Sequence, residues 1–254
     1  MIKFFRKIRQ NLLSENKFSK YLLYAIGEIL LVVIGILIAL QINNWNLEKI
    51  DRKQEAKLLS QITADLEKNK VELTELQERL AVNKYAMDSL LVRLQDNNYT
   101  TMVPFYVAFI QRKSYFPKAS SGFNMIKNGK APLITNDSIL KDVLNLYEND
   151  FNNLDLREHE MHSQIDGLQN DFVNKLFRPG NNRMNVKLEG FDEVPTELFE
   201  PLNFDNLTTN YEYINRLLQL KKTTDSRIAF IRKTDLKMDS AINHIKRELR
   251  IRHH

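Results

Sequence analysis

The chain has 254 residues, 43% of them hydrophobic, and its seven glycines and six prolines are too few for a sheet-rich or disordered protein. Its formal net charge is +5, part of it placed at the two ends, and no nucleic-acid fold signature occurs, so we expect no nucleic-acid partner. The absence of cysteine excludes disulfides and thiolate metal sites.

Residues 1–20 form a basic segment with apolar side chains at helical spacing. This pattern predicts an amphipathic helix that lies on the cytoplasmic face of a membrane. Its only acid is Glu15, and its basic residues are Lys3, Arg6, Lys7, Arg9, Lys17 and Lys20.

Residues 21–42 are predicted to form a transmembrane helix. The segment carries one charge, Glu28, and its 22 residues would extend about 33 Å as a helix, enough to cross a bilayer. A buried core helix rarely stays apolar all round for this length, and no convincing signal-peptide cleavage site follows. Tyr21, Tyr24 and Trp45 are expected to anchor the two membrane interfaces.

The charges on either side of this segment predict its orientation. The basic excess precedes it, whereas the basic residues that follow are offset by Glu48, Asp51 and Glu55. The positive-inside rule then places the N-terminus in the cytoplasm. We therefore expect an inner (cytoplasmic) membrane protein of a Gram-negative cell whose residues 43–254 form a periplasmic domain.

Glu28 shares one stripe of the predicted span with small residues. At about 100° per residue, Glu28, Gly35 and Ala39 lie within about 50° of one another, and Gly27 is adjacent. Small residues let helices approach closely in lipid, and an intramembrane carboxylate normally faces protein. We expect this stripe to contact another helix, with Glu28 either protonated and hydrogen-bonded or acting as a proton carrier.

A heptad of apolar residues follows the span and predicts a helix over about 43–96 that continues into a coiled coil or helical bundle. Asn69 and Asn83 are polar positions in its seam. They would fix the register of a coiled coil at some cost in stability, or face a groove. The apolar seam positions are Leu59, Ile62, Leu66, Leu73, Leu76, Leu80, Met87, Leu90 and Leu94.

Two further long helices are predicted, over about 137–177 and 206–250. The first begins at an N-cap near Asn136. The stretches 97–136 and 178–205 are expected to be irregular, and 104–112 is too short to assign. The fold class is therefore all-α, and the sequence leaves open whether the C-terminus lies near the membrane or far from it.

The cluster EHEMH is the best metal-like pattern. Glu158, His159 and His162 have helical spacing, yet they do not form the HExxH pattern, and a solvated helix face is the favoured interpretation. No phosphate loop, nucleophile elbow or nucleophile–base pair occurs. We expect no cofactor, no metal and no enzymatic activity.

The segment MIKFFRKIRQNLLSENKFSKYLLYAIGEILLVVIGILIALQINNWN, residues 1–46, resembles the N-terminal signature of an uncharacterised membrane protein family of flavobacteria and other Bacteroidota. A second stretch, ASSGFNMIKNGKAPLITNDSILKDVLNLYE, is more loosely similar to that family. The resemblance implies an inner-membrane location and no activity.

These features suggest an interaction or scaffold protein that associates through its transmembrane face and its periplasmic coiled coil. Its expected partners are the membrane and either further copies of itself or another membrane protein. An alternative is an ion-coupled subunit that uses Glu28, because the layout is similar to that of stator and energiser subunits. A periplasmic ligand sensor is a second alternative.

Overall fold

The computed structural model describes residues 18–180, 184–186 and 194–252. Most of the predicted basic segment, residues 1–17, lies outside them. The chain divides into an N-terminal unit, Met1–Ala56, and a C-terminal unit, Lys57–His254. The described residues are mainly helical, which confirms the all-α class.

Helix α1 spans Phe18–Gln95 without a break. No glycine or proline follows Gly35 until Pro104, so nothing in the sequence interrupts its hydrogen-bond ladder. The helix ends where Asn97 adopts a positive φ of 45°. Asparagine tolerates this left-handed conformation better than most residues, and the turn lets the amide of Asn98 donate to the carbonyl of Arg93 at 3.0 Å.

Helix α2, Val103–Ile110, occupies part of the stretch that was expected to be irregular. Pro104 stands in its first turn, where the missing amide proton costs nothing. Every residue of α2 is buried, so its side chains show no amphipathic period from which a helix can be predicted. Residues 112–120, which we call the strap, follow without regular secondary structure.

A short helix, α3 (Ser121–Met125), follows the strap and continues through a π turn, Ile126–Lys130, and a 3₁₀ turn, Ala131–Leu133. Gly129 has a φ of +90° in this turn, a conformation that side chains disfavour.

The second long helical segment begins at the expected cap. The Asn136 side chain accepts hydrogen bonds from the amides of Ser138 at 3.1 Å and Ile139 at 3.4 Å. Helical structure then runs without a break through α4 (Asp137–Leu144), a π turn (Asn145–Asp150), α5 (Phe151–Leu168), a π turn (Gln169–Val173) and α6 (Asn174–Leu176).

The connection that was expected to be irregular contains two short antiparallel strand pairs. Strand β1 (Phe177–Pro179) pairs with β4 (Phe199–Pro201), and β2 (Met184–Val186) pairs with β3 (Val194–Thr196). Strands of three residues are too short to show a two-residue alternation in the sequence.

The last helices are α7, Phe204–Thr208, and α8, Tyr211–Arg252. Helix α8 runs antiparallel to the C-terminal unit's part of α1. Lys221, early in α8, pairs with Asp88, and Lys246, late in α8, pairs with Glu67 at 2.6 Å. Within this unit the end of α8 therefore lies beside the region of Glu67, rather than beside the end of α1 at Gln95.

The apolar seam of α1 lies in the core of the C-terminal unit. Its nine apolar positions from Leu59 to Leu94 are at most 2% exposed, and they belong to one cluster with residues of α2, α4, α5 and α8. Burial of each such side chain stabilises the folded state by about 1.5–3 kcal/mol relative to leaving it in water. The heptad thus packs against helices of the same chain.

Candidate functional site

The apolar part of α1 stands out in the N-terminal unit. Its most apolar stretch has a mean hydropathy of 2.6 and is 0% buried, and this is the one described helix that is long and apolar enough to cross a membrane. The large side chains from Ile26 to Ile42 are 43–64% exposed, apart from Leu31 at 72%. Exposed apolar surface of this extent is typical of a membrane or protein contact.

The predicted stripe lies on this exposed helix. A Cβ added at Gly27 or Gly35 would meet nothing within 4 Å, and Ala39 is exposed. Glu28 is half-buried. The described residues thus leave room for another helix to approach closely at the two glycines.

Trp45, one of the predicted interface anchors, is 65% exposed, and the Lys49 ammonium lies 5.9 Å from the centre of its ring. The side chains of Tyr21 and Tyr24 lie outside the described residues. An indole beside a lysine is typical of a membrane–water interface, because one end of the pair is apolar and the other is charged.

In the C-terminal unit the two seam asparagines hold the ends of the strap. Asn69 accepts from the amide of Ala119 at 2.6 Å and donates to its carbonyl at 2.9 Å. Tyr147 donates to the same carbonyl at 3.0 Å. Asn83 donates to the carbonyl of Arg112 at 3.0 Å. Both asparagines are almost completely buried, so they satisfy strap groups that would otherwise lack partners.

The start of α3 is fixed against α1 in the same way. Asp65 accepts a hydrogen bond of 2.6 Å from the amide of Gly122. A Cβ at Gly122 would lie 2.7 Å from Cγ1 and 2.8 Å from the backbone nitrogen of Ile62. Glycine is required here because the two backbones approach too closely for any side chain.

The middle of the strap lies over a buried arginine. Arg227 has no exposed surface, and its Nη2 donates to Glu158 at 2.8 Å and to the carbonyl of Ser114 at 3.2 Å. Glu158 also accepts from the amide of Phe116 at 2.9 Å. Its carboxylate therefore joins α5, α8 and the strap.

His162 completes this group, which we call the strap clamp (Arg227, Glu158 and His162). Its Nε2 lies 3.1 Å from the carbonyl of Ser114, to which a neutral ring donates. Tyr115 packs edge-on against the ring at 4.8 Å. Burial is the main cause that lowers the pKa of His162, while the Ser114 carbonyl and Glu158 oppose it.

Burial also lowers the pKa of Arg227, and the Glu158 carboxylate opposes that change. A charged guanidinium in a dry site needs such a partner, since an unpaired buried charge is strongly unfavourable.

The solvated-face interpretation of EHEMH is wrong for two of its three candidate ligands, Glu158 and His162. His162 is buried and Glu158 is largely covered, whereas His159 is exposed. The spacing that resembled a metal site instead places two side chains against Arg227 and the strap. Among the described residues, no group of three or more metal-ligating side chains is arranged to hold an ion.

Sequence reasoning missed Arg227. The apolar pattern of α8 predicts a seam of two heptad positions. One of them is fully or almost fully buried, as predicted: Leu217, Thr224, Ile231, Met238 and Ile245. The other comprises Ile214, Lys221, Ile228, Asp235, Ile242 and Leu249, and the residues one place before its first five members form the second set that is fully or almost fully buried. These buried positions repeat every seven residues and are Tyr213, Leu220, Arg227, Thr234 and Ala241. Two of these five are polar, Arg227 and Thr234, and the neighbouring register also has two polar members, Lys221 and Asp235, so hydrophobicity alone does not separate the two registers. A charged side chain such as Arg227 is not expected in a core unless its partner is known.

The residues that the structure describes define a mainly helical protein with one exposed apolar helix near the N-terminus and a mainly helical C-terminal unit. Residues 28–199, more than half of the chain, match the family of unknown function DUF6090. The chain belongs to this family. No curated protein and no solved structure matches the chain.

Proposed function

We propose that this chain is a membrane-anchored interaction protein. The observation that carries the proposal is the apolar stretch of α1, which is 0% buried. In water this surface would be strongly unfavourable, and a bilayer is the environment that matches its length and composition. The anchor lies in the inner membrane, with residues 1–20 in the cytoplasm and residues 43–254 in the periplasm.

The anchor associates with another transmembrane helix through the stripe of Glu28, Gly35 and Ala39. The open space at Gly35 and the exposure of Ala39 support this contact. A carboxylate facing lipid would cost about 2.5 kcal/mol or more, which favours a protein partner for Glu28.

The C-terminal unit is the part that presents binding surface outside the membrane. The seam of α1 is covered within the chain, so a partner of this unit must use other residues. The strap clamp and Asn83 make the unit a defined scaffold, since together they tie α5, α8 and α1 to one segment.

Cysteine cross-linking in membranes tests the transmembrane contact. The chain has no cysteine, so single substitutions give no background. We expect Gly35→Cys to form a disulfide-linked or partner-linked product on oxidation, and Leu37→Cys, on the opposite side of the helix, to form far less. Preferential cross-linking at position 37, or the mass of a lone monomer in mild detergent, would contradict the proposal.

An ion-coupled role is a second candidate, because Glu28 is the one acidic or basic residue between Lys20 and Glu48. A carboxylate within a membrane span is a functional-site candidate. Glu28→Gln separates the two roles: a hydrogen-bonding residue tolerates the change, whereas a proton carrier does not. Two measurements are made on Glu28→Gln: cross-linking through Gly35→Cys, and proton flux in vesicles that contain the co-purified partner. If neither is reduced, the anchor role alone is supported.

A further inference from the structure

Three segments of the chain meet at one end of the C-terminal unit. Helix α1 enters the unit there, at Lys57, and α3 packs on the same part of α1. The end of α8 lies beside it, because Lys246 pairs with Glu67 at 2.6 Å. The Asn136 side chain donates to Glu248 at 3.0 Å and so joins the start of α4 to α8. We call residues 57–67, 121–137 and 246–251 the basic end.

Exposed cations outnumber free carboxylates at the basic end. Three of its four carboxylates, those of Asp65, Glu67 and Glu248, already accept a hydrogen bond or form an ion pair within the unit. The fourth, Asp137, stands in the first turn of α4, where the helix dipole favours a negative charge. No ion pair among the described residues involves five exposed cations of this end, which are Lys57, Lys127, Lys130, Arg247 and Arg250.

The opposite end of the unit has the opposite charge balance. There the rings of Tyr99 and Phe204 lie 5.4 Å apart, and the Leu202 amide donates to the Leu176 carbonyl at 2.8 Å. We call residues 93–99, 171–178 and 197–216 the far end. Its cations outside described ion pairs are Arg93, Lys175 and Arg216, and its exposed carboxylates outside them are Asp96, Asp171, Glu197, Asp205 and Glu212. The described part of the unit is therefore polarised, with its positive charge at the basic end.

The basic end also presents apolar side chains. Ile251, next to Arg250 in the last turn of α8, is 73% exposed, and Met125 at the end of α3 is 36% exposed. Cations beside exposed apolar side chains are typical of surfaces that lie on a bilayer, because anionic headgroups border hydrocarbon there.

The chain itself connects the basic end, rather than the far end, to the proposed anchor. Fourteen residues separate Ile42, the last residue of the predicted span, from Lys57. As part of α1 they extend only about 21 Å. A short connection of this kind gives the lipid headgroups a high effective concentration at the basic end, which favours lipid over a partner that must diffuse to it.

From the charge, the exposed apolar tip and this connection we infer that the basic end binds the anionic headgroups of the bilayer that holds the anchor. The inference rests on the proposed membrane anchoring and names a second membrane contact, made by the C-terminal unit. The lysines and arginines donate to lipid phosphate oxygens, and Ile251 enters the interfacial layer. The contact holds the basic end against the bilayer and turns the acidic far end away from it, towards other partners.

Quenching by lipid measures this contact in the full chain. Asn128→Cys places a single fluorophore among the cations of the basic end, and Leu202→Cys, 63% exposed at the far end, is the matched control. The vesicles carry a nitroxide on their headgroups and contain either phosphatidylcholine alone or about one third phosphatidylglycerol. We expect about threefold more quenching at position 128 than at position 202 in the anionic vesicles, and a loss of this difference in the neutral ones. Equal quenching of both positions in the anionic vesicles overturns the inference.

Paired neutralisations test whether the charge acts through its position. Arg247→Gln with Arg250→Gln, in the chain labelled at position 128, should remove most of the quenching that depends on anionic lipid. Lys175→Gln with Arg216→Gln removes the same charge from the far end and should leave the quenching unchanged. If both pairs reduce it equally, net charge alone attracts the lipid and the assigned surface is wrong.

A second neutralisation and a soluble competitor complete the test. Lys127→Gln with Lys130→Gln changes another segment of the basic end and should give a similar loss, whereas an unchanged signal would contradict a surface shared by these segments. Inorganic phosphate, added at constant ionic strength, should leave the quenching in anionic vesicles unchanged. Loss of quenching on adding phosphate would show a discrete site for a free anion and overturn the lipid contact.

Flotation separates this inference from the proposed function. A chain that floats with phosphatidylcholine vesicles after a high-salt wash is anchored without the help of charge. Such flotation, without quenching that depends on anionic lipid, overturns the inference and leaves the anchored interaction protein intact. Flotation with anionic vesicles alone would keep the lipid contact and overturn the anchor.

Discussion

Arg227 has no contact with water, and Glu158 is the carboxylate that balances its charge. Removing one partner of a buried ion pair leaves an uncompensated charge, whereas an exposed pair contributes little because water screens it. We therefore expect the stability of the C-terminal unit to depend strongly on the few side chains of the strap clamp.

We predict that Glu158→Gln lowers the free energy of unfolding of the C-terminal unit by about 3 kcal/mol. Denaturation of the full chain in detergent, followed by circular dichroism, measures the change. The matched control is Glu200→Gln, since Glu200 and Arg178 form a pair whose side chains are 37% and 68% exposed. That variant should lose less than about 1 kcal/mol, and equal losses in both would contradict the clamp.

The buried ring of His162 should make the stability of the C-terminal unit depend on pH. Burial lowers its pKa below the ordinary value of 6.5, so the unfolded chain binds more protons at this residue than the folded chain. Its contribution is complete above about pH 6.5 and is lost as the pH falls through the lower, folded-state pKa. The nearby cations Arg227 and Lys113 further disfavour the charged ring.

We therefore expect His162→Gln to reduce the fall in unfolding midpoint between about pH 7 and pH 5 relative to the parent chain. His159 is exposed on the same helix, so His159→Gln should leave that fall unchanged. The measurement is the midpoint of thermal unfolding of the full chain across this range. If both variants reduce the fall in unfolding midpoint equally, the fall does not come from protonation of the buried His162 ring.

At the scale of elements, close approach decides where glycine is needed. A Cβ at Gly122 would contact Ile62 at 2.7 Å, including its backbone at 2.8 Å, and a backbone cannot move away as a flexible side chain does. At Gly167, within α5, a Cβ would meet nothing within 4 Å.

The two glycines should respond to alanine in opposite directions. Gly122→Ala forces α3 away from α1 and should destabilise the chain by about 1–3 kcal/mol. Gly167→Ala removes a helix-breaking residue and should stabilise it by up to about 1 kcal/mol. Chemical denaturation of the three chains measures both changes. A neutral Gly122→Ala would mean that α3 does not approach α1 as closely as the structure shows.

The sequence predicts an element well when exposed polar and buried apolar side chains alternate along it with a regular period. Helix α1 shows such a pattern, and its heptad identified the buried seam together with Asn69 and Asn83. Helix α2 is buried on all sides and shows none. Periodicity does not reveal the strap, because the strap is held by hydrogen bonds from distant residues, among them Asn83 and Asn69, which are 29 and 50 positions away along the chain.

The candidate sites show the same division. The stripe of Glu28, Gly35 and Ala39 is a prediction that needs only composition and helical phase, since it concerns one face of a single helix. The strap clamp does not, because its register is set by Arg227, a polar residue whose burial depends on Glu158 in another helix. A local sequence pattern predicts which face of a helix is apolar. It does not predict which side chains from distant helices contact that face, because those contacts depend on the fold.

At the scale of the whole molecule, the proposed orientation is open to direct labelling. Ser14 lies in the basic segment assigned to the cytoplasm, and Leu156 is 66% exposed in the C-terminal unit assigned to the periplasm. In a Gram-negative host with a permeabilised outer membrane, a membrane-impermeant maleimide should label Leu156→Cys in intact spheroplasts and Ser14→Cys only after lysis.

The basic excess before the apolar stretch is the physical reason for this expectation, because cations are retained on the cytoplasmic side. A permeant maleimide, which should label both variants, controls for thiol access. If only Ser14→Cys is labelled in intact spheroplasts, the orientation is the reverse of the one proposed. Release of the chain by alkaline carbonate would show instead that the exposed apolar helix lies on another protein and does not span the bilayer.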